Sequence, residues 1–284
     1  MRRTTLVLAM TLALPLAAQM QQQAPQFQVP RPSPKATLSQ TIGFTDVTIT
    51  YSRPSARGRD IFGGLVPYDK VWRTGANEAT TISFSEDVTI DGQPLPKGTY
   101  SLHTIPGKDS WTIIFNKVAN QWGSFSYDES KDALRVTAKP HRDEYNEVMT
   151  FSIPKVTADE ATVEIKWTNL AVPFTIGTGT TRKVLAEARA AVAAAKPDDW
   201  RTPLRAASFA VENRVDLEQA NRWLDQSIRI NENLSNLFEK ARAQAAMGDK
   251  AGAIKTAQRA IEKAGPKDKD EIGEIEHSIA SWKS

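Results

Sequence analysis

Residues 46–51 read Asp-Val-Thr-Ile-Thr-Tyr, and this alternation of polar and apolar residues predicts the fold class of the first half of the chain. Successive side chains of a β-strand point to opposite faces, so a period of two predicts a strand with one buried and one solvent-facing side. The same alternation recurs further along. We expect additional strands in residues 80–90, 98–105, 111–116, 124–127, 133–139, 144–153, 161–167 and 172–176.

Turn-forming residues separate these stretches, as at Asp91-Gly92 and in residues 96–98 and 106–109. No helical pattern lies between the predicted strands, which argues against βαβ units and against a Rossmann-type nucleotide site. We therefore predict a multidomain β + α protein. Its first domain, residues 35–176, is expected to be an antiparallel β-sandwich or barrel-like domain.

The apolar period changes to 3.6 after a linker rich in glycine and threonine, residues 177–181. Residues 182–284 are predicted to form an all-α domain, in which Thr202-Pro203 would supply a capping residue and a proline at the first helical position. Helices are expected at residues 182–196, from 202 onward, and at 217–230, 234–247, 250–263 and 270–282.

An internal repeat at an offset of 33 residues relates Ala220 to Ala253 and Ile228 to Ile261. Residues 234–265 resemble a tetratricopeptide repeat, and residues 270–282 would cap the array. The resemblance implies a short concave groove for a peptide or partner protein. A small helical bundle with a chance repeat is the alternative.

The N-terminus has the pattern of a secretory signal peptide: two arginines, an apolar stretch of about a dozen residues and then small residues. We expect residues 1–18 to be removed after Ala18. Residues 19–34, rich in Gln and Pro, would then form a flexible leader. The protein is therefore expected to be exported, either periplasmic or secreted.

The composition excludes several classes of site. The chain of 284 residues has no Cys and only three His, which leaves little scope for metal chemistry, and we expect no metal and no cofactor. A net charge of +3 is too small for a nucleic-acid partner. No apolar stretch is long enough to predict an integral membrane segment after signal cleavage.

Residues 52–79 interrupt the alternation with a long loop, and long loops inside compact domains are often functional. This loop also carries most of a family resemblance. The matching motifs are Arg53-Pro54-Ser55, Gly58-Arg59, Ile61-Phe62-Gly63, LVPY at 65–68, VWRTGANEAT at 71–80, GTYSL at 98–102, Ile105-Pro106 and WTIIFN at 111–116. With them the chain resembles an exported-protein family known as domain of unknown function 2911. The resemblance implies a β-rich exported domain, sometimes followed by helical repeats, and it brings no catalytic residue.

The loop and the strand after it suggest a polar ligand pocket. Arg73, Asn77 and Glu78 would line it, with Arg59 and His103 at its margin, and it would suit a carboxylate or several hydroxyl groups. The alternative is that the arginines pair with nearby acids and fasten the loop, with Arg73 and Glu78 as one such pair. His103 is either a general base or a histidine with a structural role.

Trp122 and Tyr127 are flanked by small residues and are candidates for exposed rings that contact a carbohydrate. Together these features predict an exported soluble binding or scaffold protein whose ligand is a small molecule, a carbohydrate or a protein. The rival hypothesis is a hydrolase-like enzyme of the cell envelope with its pocket around Arg73, Asn77 and His103, completed by Glu78. No nucleophile motif supports the enzyme.

Overall fold

The computed structural model describes residues 29–284, so the predicted signal peptide and most of the predicted leader lie outside the described residues. The described chain contains ten strands followed by six α-helices, as the sequence predicted for a β domain and an α domain. The strands are β1 Lys35–Ile42, β2 Thr45–Ser52, β3 Thr80–Phe84, β4 Val88–Ile90, β5 Gln93–Leu95, β6 Gly98–Ile105, β7 Trp111–Asn116, β8 Asp132–Ala138, β9 His141–Val156 and β10 Glu160–Gly177.

These strands form two antiparallel sheets. One has six strands in the order β1-β2-β3-β6-β7-β8, and the other has four in the order β5-β4-β10-β9. Their apolar faces share one buried core, in which Phe115 of the first sheet meets Phe174 of the second at 5.9 Å between ring centroids. Alternating residues of each strand enter this core, which is why the period of two marked the strands.

The long loop between β2 and β3 is anchored in that core by two aromatic residues. Phe62 and Trp72 enter a cluster with Trp111 and Trp167, with the Phe62 and Trp111 rings 5.0 Å apart and the Trp72 and Trp167 rings stacked at 6.0 Å. Burying these rings provides the apolar contacts that keep a long loop in one conformation. The loop therefore belongs to the folded domain.

Three expectations about strands were wrong. Residues 80–90 are not one strand, because Ser85 exchanges hydrogen bonds with Asp46 and the chain then crosses from β3 to β4 in the other sheet. Residues 124–127 form turns and not a strand. Residues 161–167 and 172–176 belong to a single strand, β10, whose irregular register around Thr168 disturbs the alternation.

The helices are α1 Thr180–Ala193, α2 Arg201–Glu212, α3 Leu217–Ile230, α4 Leu234–Ala246, α5 Lys250–Glu262 and α6 Lys269–Lys283. The predicted linker is mostly structured, since β10 includes Gly177 and α1 begins at Thr180.

The start of α2 differs from the prediction, because Asp199 and not Thr202 provides the capping oxygens. The Asp199 carboxylate accepts from the backbone N–H groups of Arg201 and Thr202, both at 3.0 Å. Within the described residues, no helix combines the length and apolarity needed to cross a membrane.

The first helix is fixed to the sandwich. The backbone N–H of Thr181 donates to Asp159 Oδ1 at 2.7 Å, and the N–H of Thr178 donates to the Asp159 carbonyl, also at 2.7 Å. Gly43 lies so close that a Cβ there would come within 2.0 Å of Thr180 Oγ1. The turn between β9 and β10 and the turn between β1 and β2 thus hold the start of α1.

Candidate functional site

His103 lies on the face of β6 that is turned away from the core. Leu102 enters the core between the sheets, so its neighbours Ser101 and His103 project to the opposite side. That side is covered by the segment that connects β7 to β8, residues 117–131. Its Gln121 side chain donates to Ser101 Oγ at 3.3 Å, and its Tyr127 ring lies 5.1 Å from the His103 ring.

Arg73 joins this face through backbone pairing at the end of the long loop. Trp72 forms an isolated antiparallel bridge with Thr104, and the two backbones exchange hydrogen bonds of 2.7 and 2.8 Å. In this register Arg73 lies opposite His103, and the alternation of a strand puts both side chains on the same face. The structure therefore brings these two predicted site residues together.

His103 is buried without hydrogen bonds. Its side chain is 0% exposed, and neither Nδ1 nor Nε2 has a hydrogen-bond partner in the described structure. Burial lowers the pKa of His103 to about 4; the Gly123 backbone, which approaches the ring without reaching hydrogen-bond geometry, and the Asp132 carboxylate oppose this shift. The imidazole is therefore neutral at pH 7, with one nitrogen able to donate and the other able to accept.

Arg73 has an unpaired atom of the same kind. Its Nε is buried and has no partner among the described residues, and desolvation lowers the pKa of the guanidinium from its ordinary value. Buried polar atoms are normally paired, so unpaired nitrogens on neighbouring side chains mark an unusual site. Gln121 adds a fourth such atom, since its Oε1 is also buried and unpaired.

A polar network holds Tyr127 against His103. The Tyr127 hydroxyl donates to Asp132 Oδ2 at 2.6 Å and accepts from Arg135 Nη2 at 2.7 Å, while Arg135 Nε also donates to Asp132 at 2.6 Å. Burial and the Asp132 carboxylate raise the pKa of Tyr127 to about 12, so the phenol stays protonated at neutral pH. This network fixes one end of the covering segment on the sheet.

A cleft of about 340 Å³ opens beside Arg73. Pro67 and Lys70 line one side of it, and Ser124 and Phe125 of the covering segment line the other. Phe125 is 88% exposed, so the tip of the covering segment packs little on the rest of the molecule. This cleft gives solvent a path to Arg73, whereas His103, which lies against Tyr127, does not line it.

Asn77 and Glu78 pair through their backbones with residues 122 and 123 of the covering segment, but their side chains contact the start of the described chain. Arg31 Nη1 donates to both carboxylate oxygens of Glu78, at 2.7 and 3.0 Å, and Asn77 Nδ2 donates to the Ser33 carbonyl at 3.1 Å. The Arg31 guanidinium also lies 6.0 Å from the ring of Trp122, which is 59% exposed. Arg31 and Ser33, which belong to the predicted leader, thus form hydrogen bonds with the two polar side chains that were predicted to line a pocket.

Comparison with known families identifies the sandwich. A family described as protein of unknown function (DUF2911) matches residues 33–176. The chain belongs to this family. No curated protein and no solved structure gives a match to the chain.

The DUF2911 match ends one residue before β10 does, so it contains both sheets and the long loop and excludes the helices. Each predicted site residue lies inside the DUF2911 domain, but in three different places. Arg73 and His103 meet on the outer face of the six-stranded sheet, and Asn77 and Glu78 lie against Arg31. Arg59 lies in a separate cleft of the loop.

The sequence analysis named Tyr127 as a candidate but missed the residues that surround it in the DUF2911 domain. Asp132 and Arg135, which hold the Tyr127 hydroxyl, and Gln121, which has a buried unpaired oxygen, were not candidates. The one available signal was that residues 117–123 show no hydrophobic periodicity, which indicates a loop. This signal does not show which face of the sheet the segment covers. In residues 29–284, no group of three or more His, Asp or Glu side chains is arranged to hold a metal ion.

Proposed function

We propose that this protein is an exported binding or scaffold protein whose DUF2911 domain binds a small hydroxy acid at Arg73 and His103. The observation that carries the proposal is the set of three buried nitrogen atoms without partners, Arg73 Nε and both ring nitrogens of His103. Leaving such atoms unpaired costs about 1–3 kcal/mol each, and a bound ligand would remove that cost for each atom with which it pairs.

The chemistry of the two side chains suggests the ligand class. The planar guanidinium of Arg73 is suited to a carboxylate. A neutral imidazole donates at one nitrogen and accepts at the other, and a hydroxyl group, which can do either, is suited to pair with one of them. A molecule with a hydroxyl close to a carboxylate would pair with both residues. To reach His103 it must displace the half-buried Tyr127 ring, so the proposal requires the hydrogen bonds of Tyr127 with Asp132 and Arg135 to break on binding.

The hydrolase alternative has less support. A general base is normally oriented by a hydrogen bond to a second group, and neither nitrogen of His103 has one in the described structure. Glu78, the carboxylate that was proposed to assist it, is paired with Arg31. Binding without catalysis is the function that this geometry supports best.

The test uses L-malate and D-gluconate as probes and measures the rise in melting temperature of the purified protein. We expect both probes to stabilise the parent, as any ligand that binds only the folded state does. His103→Leu and Arg73→Met should abolish the rise. Arg142→Met, a change at an exposed arginine of β9, serves as the matched control and should leave it intact.

Arg73→Lys separates charge from geometry, since lysine keeps the cation and loses the planar fork. We expect the response to L-malate to weaken strongly in this variant. If neither probe stabilises the parent, or if His103→Leu and Arg73→Met respond as the parent does, the hydroxy-acid proposal is wrong.

For the helical unit we propose tetratricopeptide-like pairs, α2 with α3 and α4 with α5, capped by α6 and presenting a groove to a partner protein. Supporting this, Ala220 and Ala253, which the offset of 33 residues relates, are both 0% exposed. In true repeats Ala220→Leu and Ala253→Leu should destabilise the helical unit by similar amounts. A chance repeat in a bundle would give unrelated costs, which thermal unfolding followed by circular dichroism would measure.

A further inference from the structure

A second cleft lies in the first half of the long loop, at Arg59. Its volume is about 800 Å³, within the range of small-molecule sites, and it shares no lining residue with the cleft at Arg73. The loop forms one wall, the turn between β6 and β7 supplies Lys108, and β9 and β10 supply Tyr145 and Asn169. Nothing in the proposed function uses this cleft.

Arg59 is held in position by the backbone of its own loop. Its Nε donates to the Ala56 carbonyl at 2.9 Å, and its Nη2 donates to the Ser55 carbonyl at 2.6 Å. Nη1 forms no hydrogen bond within residues 29–284, and no carboxylate of that part of the chain forms an ion pair with Arg59. A fixed guanidinium with a free edge is preorganised for an anion.

Two tyrosine rings border the cleft. Tyr68 packs against the backbone of Gly63, where a Cβ would come within 2.6 Å of the ring, so glycine is required for this placement. Tyr145 is 56% exposed, and its hydroxyl donates to Glu147 Oε2 at 2.7 Å, which holds the ring by its edge. Flat apolar faces with polar edges are suited to a sugar ring.

The remaining polar groups of the cleft fix its charge. Arg59 and Lys108 are cationic and Asp60 is anionic, so the lining has one more positive charge than negative. Glu147, whose carboxylate interacts electrostatically with Arg59, already accepts from the Arg57 backbone N–H at 2.9 Å and from Tyr145. Asn169 is exposed beside the irregular register of β10; its Nδ2 donates to the Asp143 carbonyl at 3.5 Å, and its Oδ1 can accept from a ligand hydroxyl group.

We infer that this cleft binds an acidic saccharide, with a ring carboxylate at Arg59 and Lys108 and a sugar face against Tyr145. A preorganised cation, a second cation, exposed tyrosine faces and an amide meet in one concave site. Each of these features corresponds to one part of such a ligand. A neutral sugar would leave the cations without a partner.

The experiment titrates trigalacturonate into the purified two-domain protein by calorimetry, with its neutral methyl ester as the matched ligand. We expect the acid to bind, the ester to bind at least about tenfold more weakly, and added salt to weaken only the acid. Lys108→Gln and Tyr145→Leu, both changes at exposed side chains, should each weaken binding by about three- to tenfold.

Two controls separate this inference from the proposed function. Lys139→Gln, at an exposed lysine outside the cleft, and Arg73→Met, in the other cleft, should both bind trigalacturonate as the parent does. No binding of the acid, equal affinity for the ester, or unchanged affinity in Lys108→Gln and Tyr145→Leu overturns the inference. A loss of binding in Arg73→Met alone would show that the saccharide binds in the cleft at Arg73, which would also overturn the inference.

Discussion

Glu78 pairs with Arg31 and not with Arg73, although Arg73 is the nearest arginine in sequence. Arg31 Nη1 reaches both oxygens of the Glu78 carboxylate, and hydrogen bonding to Arg31 is the main reason that the pKa of Glu78 is lowered. Arg73 is left with a buried Nε and no partner in the described structure. The hypothesis of a fastening Arg73–Glu78 pair is therefore wrong, and the consequences for stability can be measured.

Arg73→Met should leave the free energy of unfolding unchanged or raise it by about 1 kcal/mol, because it removes an unpaired buried polar atom and keeps the side-chain volume. Glu78→Gln should lower it by less than about 1 kcal/mol, since the pair with Arg31 is exposed. A double-mutant cycle by urea unfolding measures both, and the coupling between residues 73 and 78 should be near zero. Coupling of about 3 kcal/mol would mean a buried ion pair after all.

The protein should lose stability in acid because of His103. Its folded pKa of about 4 lies below the ordinary value of 6.5, so the folded state binds this proton less readily than the unfolded state. The contribution of this neutral histidine to the free energy of unfolding is fully present above pH 6.5. It is lost as the pH falls towards 4, by a total on the order of 3 kcal/mol. His103→Leu should remove this part of the pH dependence, as measured by unfolding at a series of pH values.

The comparison in that experiment is between the two proteins at each pH, since the carboxylates titrate in both. His141 and His277 are exposed and remain in the variant. A difference between parent and His103→Leu that does not change from pH 7 to pH 4 would contradict the buried, neutral histidine.

Two units should be distinguishable in thermal unfolding, with the β domain the more stable because its core is larger than either apolar cluster of the helices. Asp159→Ala removes the acceptor for the Thr181 N–H at the junction and should separate the two transitions further. Glu160→Ala, the neighbouring exposed acid, is the control. Scanning calorimetry with a single unchanged transition in Asp159→Ala would indicate one cooperative unit.

The predicted signal peptide gives a separate test. The exported protein should begin at Gln19, because the sequence pattern places the cleavage site after Ala18. Intact-mass measurement of protein recovered from outside the cytoplasm checks this directly. Retention of Met1 would contradict the export prediction and leave the binding proposals untouched.

Local patterns predicted the strands and helices well where buried residues recur at a regular spacing within one element. The strand at residues 111–116 was evident because Trp111, Ile113 and Phe115 all enter the core. Residues 80–90 kept the same alternation across the turn at Ser85, so periodicity alone did not show that β3 and β4 belong to different sheets. Alternation reports which face is buried, and it does not identify the neighbouring strand.

The candidate site was predicted only in part for the same reason. His103 and Arg73 were both candidates, but their meeting depends on a bridge between Trp72 and Thr104, and nothing in either segment specifies that register. Arg59 and Glu78 were grouped with Arg73 because all three residues lie in the same loop of the sequence. In the folded loop they point to different surfaces.

The class of the protein followed from local sequence patterns: two kinds of periodicity, turn residues and loop motifs were enough to predict a β domain of this family followed by helices. These are local properties, set by backbone geometry and by which side chains avoid water. Three features became apparent only in the folded chain: His103 is buried beneath Tyr127, Arg31 pairs with Glu78, and Arg59 faces a separate cleft. Those outcomes depend on contacts between residues far apart in the chain, whose choice is made by packing and hydrogen bonding in the complete fold.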